Sequence, residues 1–275
     1  MKLPNWVIPG SAVFFLGACA LLESPIESAS RIATEGDFSP VQLPDWRLRG
    51  FAKRLSAAST VRQVTIYLES DGAPWRMPDE PPHDPTPQRP MVLRMAIDDA
   101  ADAVAYLGRP CQYLAPEQLA RCDPALWMRG RFGEDAVAAI DTAVTRIKSR
   151  YGASGVNLVG YSGGGAMAAL VAARRRDVGC LVTIAAPLDT DAWTAAINVS
   201  SLSYSLNPAD AAHKLASLPQ THFRGGNDRL VPTPTARRFL QRTPGAVVID
   251  IDRYDHQCCW GDDWKGLMGA SCLNR

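Results

Sequence analysis

Short apolar runs of strand length alternate with segments of helical periodicity along most of this chain, and no other feature limits its fold as much. Val64-Thr65-Ile66-Tyr67-Leu68, Ala103-Val104-Ala105-Tyr106-Leu107 and Val156-Asn157-Leu158-Val159 read as strands, as do runs near Leu181, from Thr221 to Arg224 and from Ala246 to Ile251. Between them, Arg89 to Ala100, Gly133 to Tyr151, the stretch after Ser162 and Thr233 to Arg242 read as helices. In the second of these Val137, Ile140, Val144 and Ile147 recur at helical spacing. Strands that alternate with helices pair in parallel through crossovers, and the crossovers cover both faces of the sheet. The expected class is therefore α/β, with a mostly parallel central sheet and helices on both faces. The segment between the strands near Leu181 and Thr221 is too short for a large cap domain.

A second segment obeys different rules. Pro74, Pro78, Pro81, Pro82, Pro85, Pro87 and Pro90 crowd the stretch from Asp71 to Pro90, which excludes both helix and central strand. It reads as a surface excursion. It is either an extended loop or a rim over a site, because its root lies at a strand end where ligands of open α/β sheets gather.

The formal charge of +1 gives nucleic acid no electrostatic footprint. At the N-terminus, Lys2 precedes a short apolar stretch interrupted by Pro9 and Gly10, which suits a secretory signal over residues 1–19 better than a membrane span. Leu16-Gly17-Ala18-Cys19 resembles a bacterial lipobox, with Cys19 as the lipidated residue; Ala18-Cys19-Ala20 also fits ordinary cleavage. The lipobox is favoured. Residues 20–40 are polar and small and read as a tether, leaving 41–275 as the folded domain. The expected location is the periplasm or, through a lipid anchor, the outer membrane of a bacterium.

Cysteine usage agrees with export. Besides Cys19 there are six, an even number suited to an oxidising compartment. Cys111 with Cys122 is the easiest pair; Cys258 or Cys259, with Cys259 preferred, is expected to pair with Cys272. Cys180 opens an apolar run and reads as a buried free thiol. No Cys-x2-Cys spacing accompanies them, so no metal is implied.

Gly160-Tyr161-Ser162-Gly163-Gly164 fits G-x-S-x-G, with a strand before it and a helix after it. Such a turn strains the serine and brings the residues two before and two after it so close that side chains would collide. Gly163 adds an amide at a helix N-terminus, where developing negative charge is stabilised. A serine needs a base. Of the four histidines, His83 falls in the proline-rich loop, His213 in a helical stretch and His222 inside a strand, whereas His256 follows the last strand in "DIDRYDHQCCW". Asp228, in "GGNDRLVP" after the preceding strand, is the preferred carboxylate to orient the imidazole. Asp189 and Asp191 are the weaker choice; Asp252 and Asp255 lie too near His256 in sequence.

The order Ser162, Asp228, His256 and the segment "GGNDRLVP" resemble the α/β-hydrolase superfamily, among its members the secreted bacterial serine esterases. The resemblance spans roughly residues 45 to 265. It implies the α/β-hydrolase fold and acyl transfer from a small-molecule ester or thioester through an acyl-enzyme. It also implies a second oxyanion amide from the loop after Val64–Leu68, here Asp71 or Gly72, without the His-Gly of many relatives. No cofactor is implied. Trp75, Tyr161 and Trp260 are candidates either for apolar walls of the site or for core. A non-catalytic envelope lipoprotein of the same fold, an acyltransferase and a peptidase are the competing readings.

Overall fold

In the computed structural model, which describes residues 23–54, 61–72 and 82–274, the strands are β1 Phe38–Pro40, β2 Gly50–Lys53, β3 Gln63–Leu68, β4 Val104–Leu107, β5 Gly155–Tyr161, β6 Val178–Ile184, β7 Gln220–Gly225 and β8 Val247–Ile251. They form one sheet in the order β1-β2-β4-β3-β5-β6-β7-β8. β2 is antiparallel to β1 and to β4, and from β4 to β8 neighbouring strands are parallel. The helices are α1 Pro25–Glu35, α2 Met91–Asp98, α3 Pro116–Leu119, α4 Glu134–Tyr151, α5 Gly163–Ala172, α6 Thr190–Ala196, α7 Pro208–Ala211, α8 Arg237–Gln241 and α9 Trp264–Gly269. This is the expected α/β architecture, and only α6, α7 and a 3₁₀ turn stand between β6 and β7.

Each face of the sheet has its own apolar layer. On one, α4 buries Val137, Ile140, Val144 and Ile147 together with Val64, Ile66 and Leu158 of the strands. On the other, α1, α2 and α9 cover Tyr67, Val104, Tyr106 and Val182. α5 is buried along its whole length, which is why its sequence is apolar all round and shows no polar stripe.

Residues 20–40 correct the reading as a tether. Within them α1 begins on a capping box: Ser24 Oγ accepts from the Glu27 amide at 3.4 Å and the Glu27 carboxylate accepts from the Ser24 amide at 2.9 Å. Ala29, Ile32 and Ala33 then pack against the sheet, and Phe38 in β1 is 1% exposed. The small residues that suggest linker composition are there because α1 lies close on its neighbours. The N-terminal stretch with Lys2 and Cys19 lies outside the described residues.

The cysteines also differ from expectation in two of their three pairs. Cys111 bonds to Cys122, but Cys180 bonds to Cys272, and Cys258 bonds to its neighbour Cys259. Cys272 is therefore not the partner of Cys259, and Cys180 is not a free thiol. The chain after α9 folds back under the sheet, where the Cys272 amide donates to Thr221 Oγ1 at 3.1 Å, next to β6 and its Cys180.

The parallel register sets the position of the site. Leu68 of β3 lies opposite Gly160 of β5, Tyr161 opposite Ile184 of β6, Ile184 opposite Phe223 of β7, and Gly225 opposite Ile251 of β8. The loops after β3, β5, β7 and β8 thus leave the same edge. From β3 the chain passes to β4 on one side and returns as β5 on the other, so β3 and β5 flank a topological switch point.

Candidate active site

Ser162 sits on the turn between β5 and α5 with φ 52° and ψ −126°, a conformation that costs a non-glycine residue about 1–3 kcal/mol. The sequence supplies the room that this requires. A Cβ at Gly160 would strike the backbone of Gly164, and one at Gly164 would strike the carbonyls of Leu68 and Glu69. The second glycine therefore packs the elbow against the exit of β3, the loop that carries Asp71.

His256 joins the serine to the acid. Its Nε2 lies 3.0 Å from Ser162 Oγ and its Nδ1 lies 2.8 Å from Asp228 Oδ2. Asp228 is fully enclosed, and its other oxygen accepts from the amides of Leu230 at 2.9 Å and Val231 at 2.8 Å. Two amides hold that carboxylate in one rotamer. Because the acid can only accept at Nδ1, the proton is assigned there, and Nε2 faces the hydroxyl as an acceptor. The loops bearing the two residues are tied together by the Asn227 amide, which donates to the Tyr254 carbonyl at 2.9 Å.

The backbone of His256 is held as firmly as its ring. The Tyr161 hydroxyl donates to the His256 carbonyl at 2.6 Å, and the Trp260 indole donates to the same oxygen at 3.2 Å and to Asp255 O at 3.1 Å. Burial keeps the Tyr161 hydroxyl protonated well above the ordinary tyrosine range. The Tyr161 ring lies 5.4 Å from the imidazole, so it serves as a wall as well as a brace. Of the two readings of Trp260, wall or core, the structure takes core: it is fully buried and packs edge-on against Tyr254 at 4.7 Å. Trp75 lies outside the described residues. The Asp255 carboxylate accepts from the amides of Gln257 and Cys258, both at 2.8 Å, and so shapes the histidine loop without facing the ring.

The remaining candidates are engaged elsewhere. Asp189 caps α6 and binds Arg238 at 2.8 Å and Asn207 at 2.8 Å. Burial opposes its ionisation, but Arg238 and Asn207 outweigh burial and bring its pKa to about 2. Asp191 is 3.4 Å from Arg238. His222 is enclosed in β7 with Nδ1 2.8 Å from Thr183 Oγ1, His213 has Nδ1 3.1 Å from the Asp210 carbonyl, and His83 lies on the surface of the proline-rich segment.

For an oxyanion the site offers unclaimed amides. The Gly163 N–H, in the first turn of α5, meets no acceptor among the described residues. After β3, the Ser70 amide is taken by Glu69 Oε1 at 2.8 Å and the Gly72 amide by Ser70 Oγ at 3.3 Å. Of Ser70, Asp71 and Gly72, only Asp71 has an amide that no described residue accepts from. Gly72, with φ +88°, serves the path of the chain instead. A Cβ there would collide with the Pro85 carbonyl, so glycine lets the loop pass beneath the proline-rich segment.

Comparison with known proteins places this geometry. No curated protein matches the chain by sequence. A protein of Klebsiella pneumoniae described as a dienelactone hydrolase is similar in structure, with TM-score 0.59 and 14% identity over 86% of this chain and 98% of that one. An esterase of Pyrococcus furiosus matches with TM-score 0.58 and 15% identity over 86% and 93%. An alpha-beta serine hydrolase homologue from Coxiella burnetii matches with TM-score 0.55 and 14% identity over 86% and 96%. At these identities the likeness is one of fold. The model of the serine hydrolase family FSH1 matches residues 98–256, which include Ser162, Asp228 and His256. That span is more than half of the 275 residues, and the chain belongs to the FSH1 serine hydrolase family, as a hydrolase built on the α/β-hydrolase fold.

Proposed function

We propose that the protein hydrolyses carboxylic esters or thioesters through an acyl-enzyme on Ser162. The observation that carries this reading is the single imidazole of His256 in hydrogen-bond reach of both Ser162 Oγ and Asp228. Ser162 Oγ attacks the substrate carbonyl while His256 Nε2 takes its proton, and Asp228 stabilises the imidazolium. The Gly163 and Asp71 amides stabilise the tetrahedral oxyanion. Collapse of the intermediate expels the alcohol or thiol, which receives the proton from His256. Water, deprotonated by the same imidazole, then releases the acid and restores the serine.

A groove of about 1400 Å³ is lined by Tyr161 and Gln257, the chain neighbours of Ser162 and His256, together with Ser70, Gly72, Arg89 and Arg94, while the three triad side chains themselves stand outside its lining. Ser28, Asp84, Gln88 and Asp98 alternate in this lining with Ile32, Met91 and several prolines, a mixed surface that suits a short or partly polar ester better than a long fatty chain. A series of p-nitrophenyl esters tests both points. Hydrolysis is expected to be fastest with acetate or butyrate and to vanish in Ser162→Ala. Rates that rise steadily to palmitate would overturn the reading of a short or partly polar ester, and cleavage of amides without cleavage of esters would overturn ester hydrolysis.

Export with lipid attachment at Cys19 is part of the same proposal. The six cysteines from Cys111 to Cys272 all stand in disulfides, the usage of an oxidising compartment. Palmitate incorporation in cells that disappears in Cys19→Ser is the expected result; soluble, unlabelled protein would argue for ordinary signal cleavage.

A further inference from the structure

The exit of β3 is held by charges that the mechanism above leaves unused. Asp71 Oδ1 accepts from Nη1 of Arg109 at 3.0 Å, and Oδ2 accepts from Nη1 of Arg131 at 2.9 Å. Each guanidinium is anchored in turn. Arg109 lies over the Phe132 ring, 5.1 Å from its centroid, and donates to the Arg131 carbonyl; Arg131 Nε donates to Met128 O at 2.7 Å. The Arg109 side chain is 4% exposed, that of Arg131 13% and that of Asp71 24%, so this is not a surface ion pair of negligible consequence. Burial by itself raises the Asp71 carboxyl, but the charges of Arg131 and Arg109 outweigh it and hold it below the usual carboxylate range.

The position of the carboxylate matters most. It occupies the space into which a Cβ on residue 163 would project. Gly163 has an ordinary helical backbone, so its missing side chain answers a need for room. The loop bearing Arg109 is itself fixed: Cys111 and Tyr113 have φ of 72° and 57°, Cys111 bonds to Cys122, and Gln112 Nε2 donates to Ser70 O at 3.1 Å.

We propose that Arg109 and Arg131 are positioning residues for hydrolysis: by holding the Asp71 carboxylate against Gly163 they keep the Asp71 amide beside Ser162 as the second oxyanion donor. The proposal rests on the ester-hydrolysis reading.

Three measurements test it. In Arg131→Gln and Arg109→Lys, kcat on p-nitrophenyl acetate should fall about 10- to 100-fold while KM changes little, because a displaced oxyanion donor weakens the transition state more than the ground state. Affinity for a trifluoromethyl ketone, which forms a tetrahedral adduct on the serine, should fall in step with kcat/KM. Arg131→Lys should recover part of the loss. The third measurement is a double-mutant cycle that does not depend on the arginine variants folding: Gly163→Ala should cost much less in an Asp71→Gly background than in the wild type, since the collision is then removed. Folded arginine variants with unchanged kcat and ketone affinity, or equal costs of Gly163→Ala in both backgrounds, would overturn the clamp while ester hydrolysis by the wild type stands. A wild type that cleaves no ester would overturn both.

Discussion

Two loops close on Ser162 from opposite sides, and they are held by different physics. The loop after β8 presents His256 through hydrogen bonds to its backbone: Tyr161 and Trp260 both donate to the His256 carbonyl, and the Asp255 carboxylate beside it accepts from the amides of Gln257 and Cys258. The loop after β3 is fixed by a buried carboxylate between two guanidiniums that come from distant parts of the chain. A neutral hydrogen bond contributes about 0.5–1.5 kcal/mol and can be lost singly, whereas removing Asp71 would leave two buried guanidiniums uncompensated, at about 3–5 kcal/mol, and removing either arginine takes away one of the carboxylate's two charged partners. The histidine side should therefore tolerate trimming, and the oxyanion side should not.

The largest expected effect falls on the triad. Asp228→Asn should lower kcat by about 10²–10⁴, because the amide can donate to Nδ1 and leave the proton on Nε2. Steady-state kinetics on p-nitrophenyl acetate would check this, and a loss under tenfold would remove Asp228 from its role. Tyr161→Phe should be far milder, roughly 2- to 10-fold in kcat, the equivalent of one neutral hydrogen bond. If it equals the arginine variants, the contrast between the two loops is wrong.

How much of this is legible in the sequence depends on how local each signal is. β5, the elbow and α5 are readable because apolar run, glycines and helix formers lie side by side. Asp228 and His256 stand out by chain order and by their places just after strands. Arg109 and Arg131 carry no such mark: each is one arginine among many, and only the fold brings them to Asp71. The same applies to Cys180, whose partner lies 92 positions away. α1 and β1 are hidden because Ala29, Ala33 and the serines around them have the composition of a linker, and their packing is visible only against the sheet. Tyr161 reads as wall or core from its ring alone, and nothing along the chain marks a partner for its hydroxyl.

A control region sharpens the comparison. The Cys180–Cys272 bond lies under the sheet, away from both loops, and its loop of 92 residues constrains the unfolded chain strongly. Replacing both cysteines by alanine should cost about 2–4 kcal/mol in denaturant unfolding and leave kcat almost unchanged. Breaking Cys111–Cys122 by Cys122→Ser with Cys111→Ser should do the reverse in proportion: a smaller stability loss, because the loop is shorter, but a measurable fall in kcat through Arg109.

A separate effect, on stability and not on turnover, concerns acid. Burial holds His222 neutral and lowers its pKa from 6.5 to about 3. The unfolded chain therefore binds the proton first: the stability contributed by the neutral ring is complete above pH 6.5 and declines as pH falls from there towards 3. Melting temperatures between about pH 7 and 4 should drop less steeply in His222→Gln than in the wild type. Parallel slopes would show that the ring does not govern this window.

Labelling by a fluorophosphonate, read by peptide mass, bears most directly on the joining of Ser162, His256 and Asp228. The wild type, folded and with its disulfides intact, should carry one adduct on the peptide containing Ser162; Asp228→Asn should label more slowly, and Ser162→Ala not at all. An unlabelled wild type, or an adduct on any other residue, would contradict it.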